Sequence, residues 1–446
     1  MKTSGRVLGV ADQALSSVTN VAITVFAASA LEPTAFGGFA LAFAFYLALV
    51  GMARSLATEP LLIRPGASDG EALRAAVGAM AALGLAAAAV CGCVGLISGG
   101  TVGRPLLAGA AFLPLLFVQD GWRYGAFASG RPPRALVVDV VWLGVQIPGV
   151  ALLLVSDSRE PAAFMAVWAA SGAVSAVVGA VQSGLLPSIT RGVRWLRANS
   201  DLGGPFLAEF LAAGAAVYAG LWLLGLVSGL AAVGAVRVAQ TIFGPINVLY
   251  AGIYLTLVPE GARQAKGDRA QVNRSMQRIS AVLLATSAVA TVAALAIPGG
   301  VGEGLFGDTW DLARPVLLPM GLTLCGSAVM AGALAGLRSL AAARLTLRTR
   351  VATIPLTLVG PVLGALVADE VGFTAGLALG TWAAAALWWS AFKAGLSQPA
   401  PPVPSPPRRT RQVPEQLQKR VGGAVPRELG GTPGPGRPEP SPEIGI

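Results

Sequence analysis

The 446-residue sequence contains no histidine and only three cysteines. Without imidazole, the chain can form neither histidine metal sites nor Ser-His or Cys-His catalytic pairs, and any proton chemistry must use carboxylates. Cys91, Cys93 and Cys325 lie in apolar segments, and Cys91 and Cys93 lack the two-residue gap of a zinc knuckle. The composition therefore predicts no metal site and no cofactor.

Charged residues are also scarce: they make up 12% of the chain, whereas 54% of the residues are hydrophobic. The mean hydropathy of +0.68 places the chain outside the soluble globular class and indicates a polytopic membrane protein. The net charge is +10, but the basic residues are spread over short connections and a tail. This dispersal argues against nucleic-acid binding.

Apolar runs of about 20 residues recur as far as residue 396, and in lipid each of them must be a helix that satisfies its own backbone hydrogen bonds. The sequence thus predicts an all-α integral membrane protein with about twelve transmembrane helices. The expected spans are residues 10–30, 36–60, 75–98, 104–127, 135–155, 162–186, 206–228, 233–258, 279–297, 313–337, 349–368 and 372–395.

Basic residues fall almost entirely in alternate connections, such as those containing Arg123 and Arg191. The other connections contain only Arg104, Arg159 and Arg314. Because positively charged connections stay in the cytoplasm, this imbalance predicts that both termini are cytoplasmic.

The two halves resemble one another in outline, with six spans on either side of a basic segment near residues 191–197. This pattern predicts an N-terminal lobe at 1–200, a C-terminal lobe at 201–396, and a cavity between spans one, two, seven and eight. Residues 397–446 are rich in proline and arginine and predict a disordered cytoplasmic tail, which either touches anionic headgroups or is simply solvated.

Two polar rows follow the first span at helical spacing. Asp12, Ser16 and Thr19 form one row, and the second consists of Gln13, Ser17, Asn20 and Thr24. Either the rows line a polar cavity, or their members satisfy one another between packed helices.

Two arginines lie within predicted spans. Arg54 is roughly 14 Å along its helix from Arg64, too deep to reach the headgroups easily. Arg237 begins the eighth span, where it either reaches the interface or faces the cavity, and Gln240 and Asn247 follow it.

Asp12 and Glu59 are expected near the cytoplasmic ends of the helices that surround the cavity. They either bind H⁺ or Na⁺ to drive a transport cycle or neutralise Arg54. Glycines spaced four apart, Gly332 with Gly336 and Gly372 with Gly376 and Gly380, predict close helix packing.

The stretches ADQALSSVTNVAITVFAASALEPTAFGGFALAFAFYLALVGMARSLATEPLLIR and VGAVRVAQTIFGPINVLYAGIYLTLVPEGAR resemble the polysaccharide flippases of the multidrug/oligosaccharidyl-lipid/polysaccharide exporter superfamily. The resemblance covers about residues 5–396. It implies alternating access in a bacterial cell membrane, and movement of a polyprenyl-diphosphate-linked oligosaccharide from the cytoplasmic to the outer leaflet. Membrane lipids surround such a protein, and polysaccharide polymerases and glycosyltransferases are its implied partners.

In such flippases cavity arginines hold the diphosphate, and Arg54 and Arg237 are the matching positions, although the first span lacks an arginine. Gln13, Asn20, Gln240 and Asn247 are the neutral groups expected to bind sugars.

Two alternatives remain. A cation-coupled multidrug antiporter of the same superfamily would use Asp12 and Glu59 to exchange ions for organic cations. A glycan polymerase or ligase needs catalytic residues near the outer face, where one short connection offers only Glu303, Asp308, Asp311 and Arg314. We therefore expect a transporter and not an enzyme.

Overall fold

A computed structural model describes residues 3–64, 70–264, 269–340 and 342–397. Within these ranges it does not describe the side chains of 3–14, 213, 215, 216, 247–249, 251–264 and 343. The described residues form helices and contain no strand, as expected for chain segments that must satisfy their backbone hydrogen bonds in lipid.

The first half of the chain forms nine helices in the described ranges. They are α1 (Thr3–Ala30), α2 (Pro33–Ala57), α3 (Glu59–Ile63), α4 (Gly70–Ser98), α5 (Gly100–Ala110), α6 (Leu113–Ala128), α7 (Pro132–Val155), α8 (Pro161–Ser183) and α9 (Ile189–Ala198).

The second half contains seven α-helices and one short 3-10 turn, Arg314–Val316, in its described part. The α-helices are α10 (Ser200–Val227), α11 (Leu230–Gln264), α12 (Arg269–Leu295), α13 (Gly299–Phe306), α14 (Thr309–Ala313), α15 (Leu317–Ser339) and α16 (Ala343–Ser397).

The prediction of twelve crossings is confirmed. Seven described helices are long and apolar enough to cross a membrane, and the bent pair α5–α6 and the bent helix α10 bring the number to nine. The apolar parts of α1 and α11 add two, and α16 is two crossings because its backbone leaves the helical conformation at Ala368 and Asp369. The crossings divide six and six about α9, with the predicted lobe boundary at residue 200 falling where α10 begins.

The surface of the bundle suits a lipid environment. Large apolar side chains on several crossings are highly exposed, including Ile97, Val155 and Val367 at 86%, 86% and 88%. In water such side chains would form an aggregating surface, whereas hydrocarbon is their preferred solvent. The protein is therefore a multi-pass membrane protein.

Glycines set the spacing of several helices, as their positions in the sequence predicted. A Cβ atom on Gly364 would lie 2.0 Å from the Gly372 carbonyl oxygen, and one on Gly376 would lie 2.3 Å from that of Gly360. The two arms of α16 thus pack backbone to backbone, which only glycine permits. Gly332 meets α12 in the same way, because its Cβ would lie 2.5 Å from the Met276 carbonyl oxygen.

We call the end of the bundle that carries Arg64, Arg74 and Arg191 the basic end. At the opposite end, α2 and α11 make direct contact: a Cβ on Gly37 would lie 1.8 Å from the Leu230 carbonyl oxygen. Gly307, before α14, approaches the carbonyl oxygens of Ala28 and Ser29 on α1. These contacts hold the two six-helix lobes together at the opposite end.

An aromatic cluster forms the core of the first lobe. Phe36, Phe39 and Phe43 stack along one face of α2, and Trp168 of α8 meets Phe43 edge-on at 4.9 Å. Because these rings are fully buried, α2 is held rigidly in its lobe, and Phe43 presents one end of the stack to the space between the lobes.

Candidate functional site

A cavity of about 950 Å³ lies between the two lobes. Its described lining comes from α1, α2, α10 and α11, which are the first, second, seventh and eighth crossings. The pseudo-repeat in the sequence therefore identified the correct four helices. The described lining residues are Ser17, Val18, Asn20, Val21, Ala22, Thr24, Val25, Phe26, Phe43, Leu47, Val217, Tyr218, Arg237, Gln240, Thr241, Gly244 and Pro245.

Arg237 supplies the only formal charge among these described lining residues. Its guanidinium lies over the Phe43 ring, with Cζ 5.0 Å from the ring centroid. Its Nε is buried without a hydrogen-bond partner, and it forms no ion pair with any described side chain. The structure thus places Arg237 in the cavity. The sequence had allowed either this position or one at the membrane interface.

The cation-π contact accounts for how the protein tolerates this charge. An aromatic face attracts a cation, and the attraction strengthens where water is excluded. It leaves the outer nitrogens of the guanidinium available, because the ring acts on the flat face and not on the N–H bonds. These nitrogens can therefore donate hydrogen bonds to a molecule in the cavity.

Neutral polar groups face Arg237 from α1 and its own helix. Ser17, Asn20 and Thr24 line the cavity, so the second polar row of the first span is the one that faces it. The side-chain amides of Asn20 and Gln240 make no hydrogen bond to any described residue, whereas the Thr24 hydroxyl donates to the Asn20 carbonyl oxygen at 2.8 Å. Two amides are thus available to a bound polar molecule.

Thr19, from the first polar row, serves packing instead. Thr19 is 3% exposed, and its backbone carbonyl accepts a hydrogen bond from the Gln146 side chain of α7 at 3.0 Å. The Thr19 hydroxyl donates to the Leu15 carbonyl oxygen. Thr19 thus fits the packing interpretation, whereas Ser17, Asn20 and Thr24 fit the cavity interpretation.

Arg54 has a partner that the sequence analysis missed. Its Nε and Nη2 donate to the two carboxylate oxygens of Asp120 on α6, at 2.8 and 2.7 Å. Tyr124 lies beneath the guanidinium, 5.5 Å from its ring centroid to Cζ. Asp120 therefore neutralises Arg54 through two charge-assisted hydrogen bonds, while the roles expected of Asp12 and Glu59 stay predictions.

This ion pair bears on the predicted role of Arg54 in binding the diphosphate. A guanidinium bound in bidentate fashion to a carboxylate has little positive potential left for a phosphate, and Arg54 is not among the described lining residues of the cavity. This arrangement does not support the predicted role of Arg54 in cargo binding. Arg54 instead links the second crossing to the fourth.

A second buried pair lies beside the first. Arg123 contacts the Asp139 carboxylate of α7 at 3.2 Å, and the Gln119 amide donates to the same carboxylate at 3.2 Å. Arg123 and Asp139 are 7% and 2% exposed. Arg123 therefore lies inside the bundle, and not in the basic connection to which we had assigned it.

The remaining predicted residues are distributed as follows. Glu59 begins α3 and is half-buried, and it forms no ion pair with a described basic residue. Its role in ion coupling stays a prediction. The side chains of Asp12, Gln13 and Asn247 lie outside the described residues, as do the tail residues 398–446.

Two kinds of site residue escaped the sequence analysis. Asp120 and Asp139 were detectable as single carboxylates inside apolar runs, each of which demands a buried partner. Phe43 and Tyr218 carried no such signal, since aromatic residues are common in membrane helices. Within the described ranges, no group of three His, Cys, Asp or Glu residues is placed to hold a metal ion.

No family model and no curated protein sequence matches the chain. Solved structures do match it. The inward-facing conformation of a multidrug resistance MATE family transporter of the MOP superfamily superposes with a TM-score of 0.66 at 15% identity, over 86% of this chain and 94% of that one. Its outward-facing conformation gives a TM-score of 0.55 at 12% identity, over 88% and 95%.

A MOP superfamily transporter from Pyrococcus furiosus gives a TM-score of 0.60 at 13% identity, over 88% of this chain and 94% of that one. That protein is described as having a binding pocket of reverse polarity that suggests a different function. At these identities the likeness establishes the fold. The chain has the two-lobe, twelve-helix fold of MOP superfamily transporters, while the flippase branch stays a prediction.

Proposed function

We propose that the protein is an alternating-access transporter that moves an anionic, lipid-linked oligosaccharide across a bacterial cell membrane, with Arg237 holding the phosphate groups of the cargo. The observation that carries this proposal is the Arg237 guanidinium in a cavity between the lobes, where it has no ion-pair partner among the described side chains.

The charge of the cavity favours an anion. A guanidinium within a membrane span costs about 2.5 to 3.5 kcal/mol on insertion scales, so an unpaired one is retained for a function. Its planar donors match two oxygens of a phosphate group, and the match is strongest where water is excluded. Arg237 therefore supplies the paired donors that a phosphate needs in order to cross hydrocarbon.

The remaining lining favours a cargo with many neutral polar groups. Asn20 and Gln240 carry amides without described partners, and Ser17 and Thr241 add hydroxyls. Sugar hydroxyls are both donors and acceptors, which amides and hydroxyls satisfy equally well. The volume of about 950 Å³ is at the upper end of the range for ligand pockets, as a cargo of several sugar rings requires.

The conformation also suits uptake from one side. Contacts such as that between Gly37 and Leu230 join the lobes at the opposite end, so cargo would enter from the basic end. The distribution of arginines predicts that this end is cytoplasmic, where lipid-linked precursors would be loaded. Opening at the other end would then release them to the outer leaflet.

A cation-coupled drug antiporter is the competing function, and the multidrug transporters of the same fold favour it. Such a protein needs a negative group where the organic cation binds. The described lining contains one arginine and no carboxylate, which is the opposite polarity. The reverse-polarity pocket of the Pyrococcus furiosus transporter is a precedent in the same fold for a pocket of changed charge.

The test is to deplete the protein in its own host and to measure polyprenyl-linked glycans by mass spectrometry. We expect a finished lipid-linked oligosaccharide to accumulate and the surface polymer to disappear. Wild-type protein should reverse both effects, Arg237→Lys should do so partly, and Arg237→Ala should not. Arg104→Ala is the matched control, because Arg104 is exposed on α5 and is not among the described residues that line the cavity.

Unchanged lipid-linked glycans after depletion would contradict the flippase function. If the depleted cells instead retain cationic dyes, and if wild-type and Arg237→Ala proteins restore dye export equally, the drug antiporter is the correct function.

A further inference from the structure

A second, smaller pocket lies in the seam between the lobes, beside the main cavity. It has a volume of about 320 Å³ and is formed by α2, α4 and α10. Its walls include Phe45, Met52, Val94, Phe210, Tyr218 and Trp222, and none of its described lining residues is charged. We call it the seam pocket.

Two contacts between α2 and α10 bound the seam pocket. Phe45 meets Trp222 edge-on, with ring centroids 5.7 Å apart. Further along, Gly51 lies directly beneath the Phe210 ring, because a Cβ there would be 2.3 Å from Phe210 Cζ. Between these contacts the described lining consists of Ala48 on α2 and of Leu211, Tyr218 and Ala219 on α10. The lobes therefore pack tightly at both ends of the seam pocket, and the small side chains of Ala48 and Ala219 leave space between them.

The seam pocket opens to the lipid-facing surface. Leu211 and Ala219, which line it, are both exposed, Leu211 at 43%. Phe45 is twelve residues from the start of α2, roughly 18 Å along the helix, so the pocket lies at the depth of the hydrocarbon core. Its opening thus meets hydrocarbon and not water.

Tyr218 lies between the seam pocket and the main cavity, since it lines both. The cavity side holds Arg237 and the amides of Asn20 and Gln240, whereas the described lining of the seam side carries no charge. A molecule that fills both spaces must have an anionic polar head and a hydrocarbon chain.

We infer that the seam pocket binds the hydrocarbon chain of the cargo while its phosphate and sugars occupy the cavity at Arg237. This inference rests on the proposed function and adds to it the position at which the chain passes between the lobes. The charge of Arg237 and the position of Tyr218 in the walls of both spaces favour the chain of an anionic lipid-linked molecule over a separate membrane lipid. The chain then remains in hydrocarbon while the head crosses.

Binding of two probes by the purified full-length protein tests the inference. The probes are undecaprenyl diphosphate, which has a long chain, and geranyl diphosphate, which carries the same head on a short one. Ala219→Trp fills the seam pocket from α10, and Ala48→Trp fills it from α2. Because each should exclude a few methylene groups of the chain, we expect about tenfold weaker binding of undecaprenyl diphosphate. Binding of geranyl diphosphate should be unchanged.

Ala89→Trp is the matched control, since Ala89 is exposed on α4 and does not line the pocket. If the seam variants match this control while Arg237→Ala weakens both probes, the inference is wrong and the proposed function stands. If Arg237→Ala weakens neither probe, the proposed function itself fails.

A measurement on the wild-type protein avoids any dependence on folding of the variants. A photoreactive diazirine placed on the chain of undecaprenyl diphosphate should label α2 and α10 around Phe45 and Phe210. Labelling spread evenly over the lipid-facing surface, or abolished by an equal concentration of phosphatidylcholine, would assign the seam pocket to ordinary membrane lipid and overturn the inference.

Discussion

Asp120 accepts two hydrogen bonds from Arg54, one on each carboxylate oxygen, and so ties the fourth crossing to the second. The Asp120 side chain is 4% exposed, and the Arg54 side chain is 31% exposed. Loss of the arginine should therefore cost more than loss of the carboxylate, because the carboxylate is the more deeply buried of the two groups.

Replacement of Arg54 alone should therefore destabilise the protein. Arg54→Leu leaves a buried carboxylate unpaired, and we expect a loss of about 3 to 5 kcal/mol in unfolding free energy. The double variant Arg54→Leu with Asp120→Leu should recover most of this loss, because neither charge remains. Denaturant unfolding in detergent micelles measures both.

Arg64 and Asp201 provide the control pair. They are 41% and 61% exposed, so Arg64→Leu should cost no more than about 1 kcal/mol. A double variant as unstable as Arg54→Leu would show that the buried pair is not what holds the two helices together.

The contact between Gly37 and Leu230 should control which end of the cavity is open. Gly37→Ala places a methyl group against a backbone carbonyl that cannot move aside without moving α11. We expect a cost of roughly 1 to 3 kcal/mol in the described conformation, and a shift towards one in which the lobes separate at that end. Spin labels at Glu32 and Leu226 in a cysteine-free background would report the shift as a longer distance.

Gly92→Ala controls for the loss of a glycine, since a Cβ there meets nothing within 4 Å. Equal label distances in Gly37→Ala and Gly92→Ala would show that the contact does not govern the conformation.

The two arms of α16 should be sensitive to any side chain at their contact. Gly364→Val would force apart helices whose backbones touch at Gly372, and we expect thermal unfolding at a clearly lower temperature, with a cost of at least about 1 to 3 kcal/mol. Gly92→Val is again the control, on a helix face with open space. A stability equal to that of the control would mean that the arms separate freely.

Removal of residues 399–446 should leave the bundle intact. The sequence predicts that this proline-rich segment buries no core, and the last described helix ends before it, at Ser397. The truncated protein should insert and unfold at the temperature of the full chain. Loss of the protein from the membrane would instead show that the tail is needed for folding or targeting.

Much of the fold was predictable because the bilayer restricts what a chain can do. The length of each apolar run fixed the number of crossings, and glycine spacing identified the packed arms of α16. Two features were missed. The break between α5 and α6, which bend by 59°, falls inside one apolar run, and α9 was treated as a basic connection.

The site was only partly predictable, for a different reason. Arg237, Asn20 and Gln240 stood out because polar groups in apolar helices are costly. The partner of Arg54 did not, because Asp120 is 66 residues away and the choice between it and Glu59 depends on which helices lie adjacent. Local sequence reveals that a buried charge needs a partner, while tertiary packing decides which one.

The attachments of α9 have a mechanical consequence. Trp195 donates to the Ala57 carbonyl oxygen, Arg191 pairs with Glu71, and Gly192 lies against Gly78, so α9 is fixed to the first lobe. Asn199 alone separates α9 from α10, the first crossing of the second lobe. When the lobes rotate against one another, Asn199 is the expected hinge. Arg64 donates hydrogen bonds there to Asn199 and Asp201. Because displacement grows with distance from a hinge, a small rotation there would produce a large separation at the opposite end, where Gly37 meets Leu230.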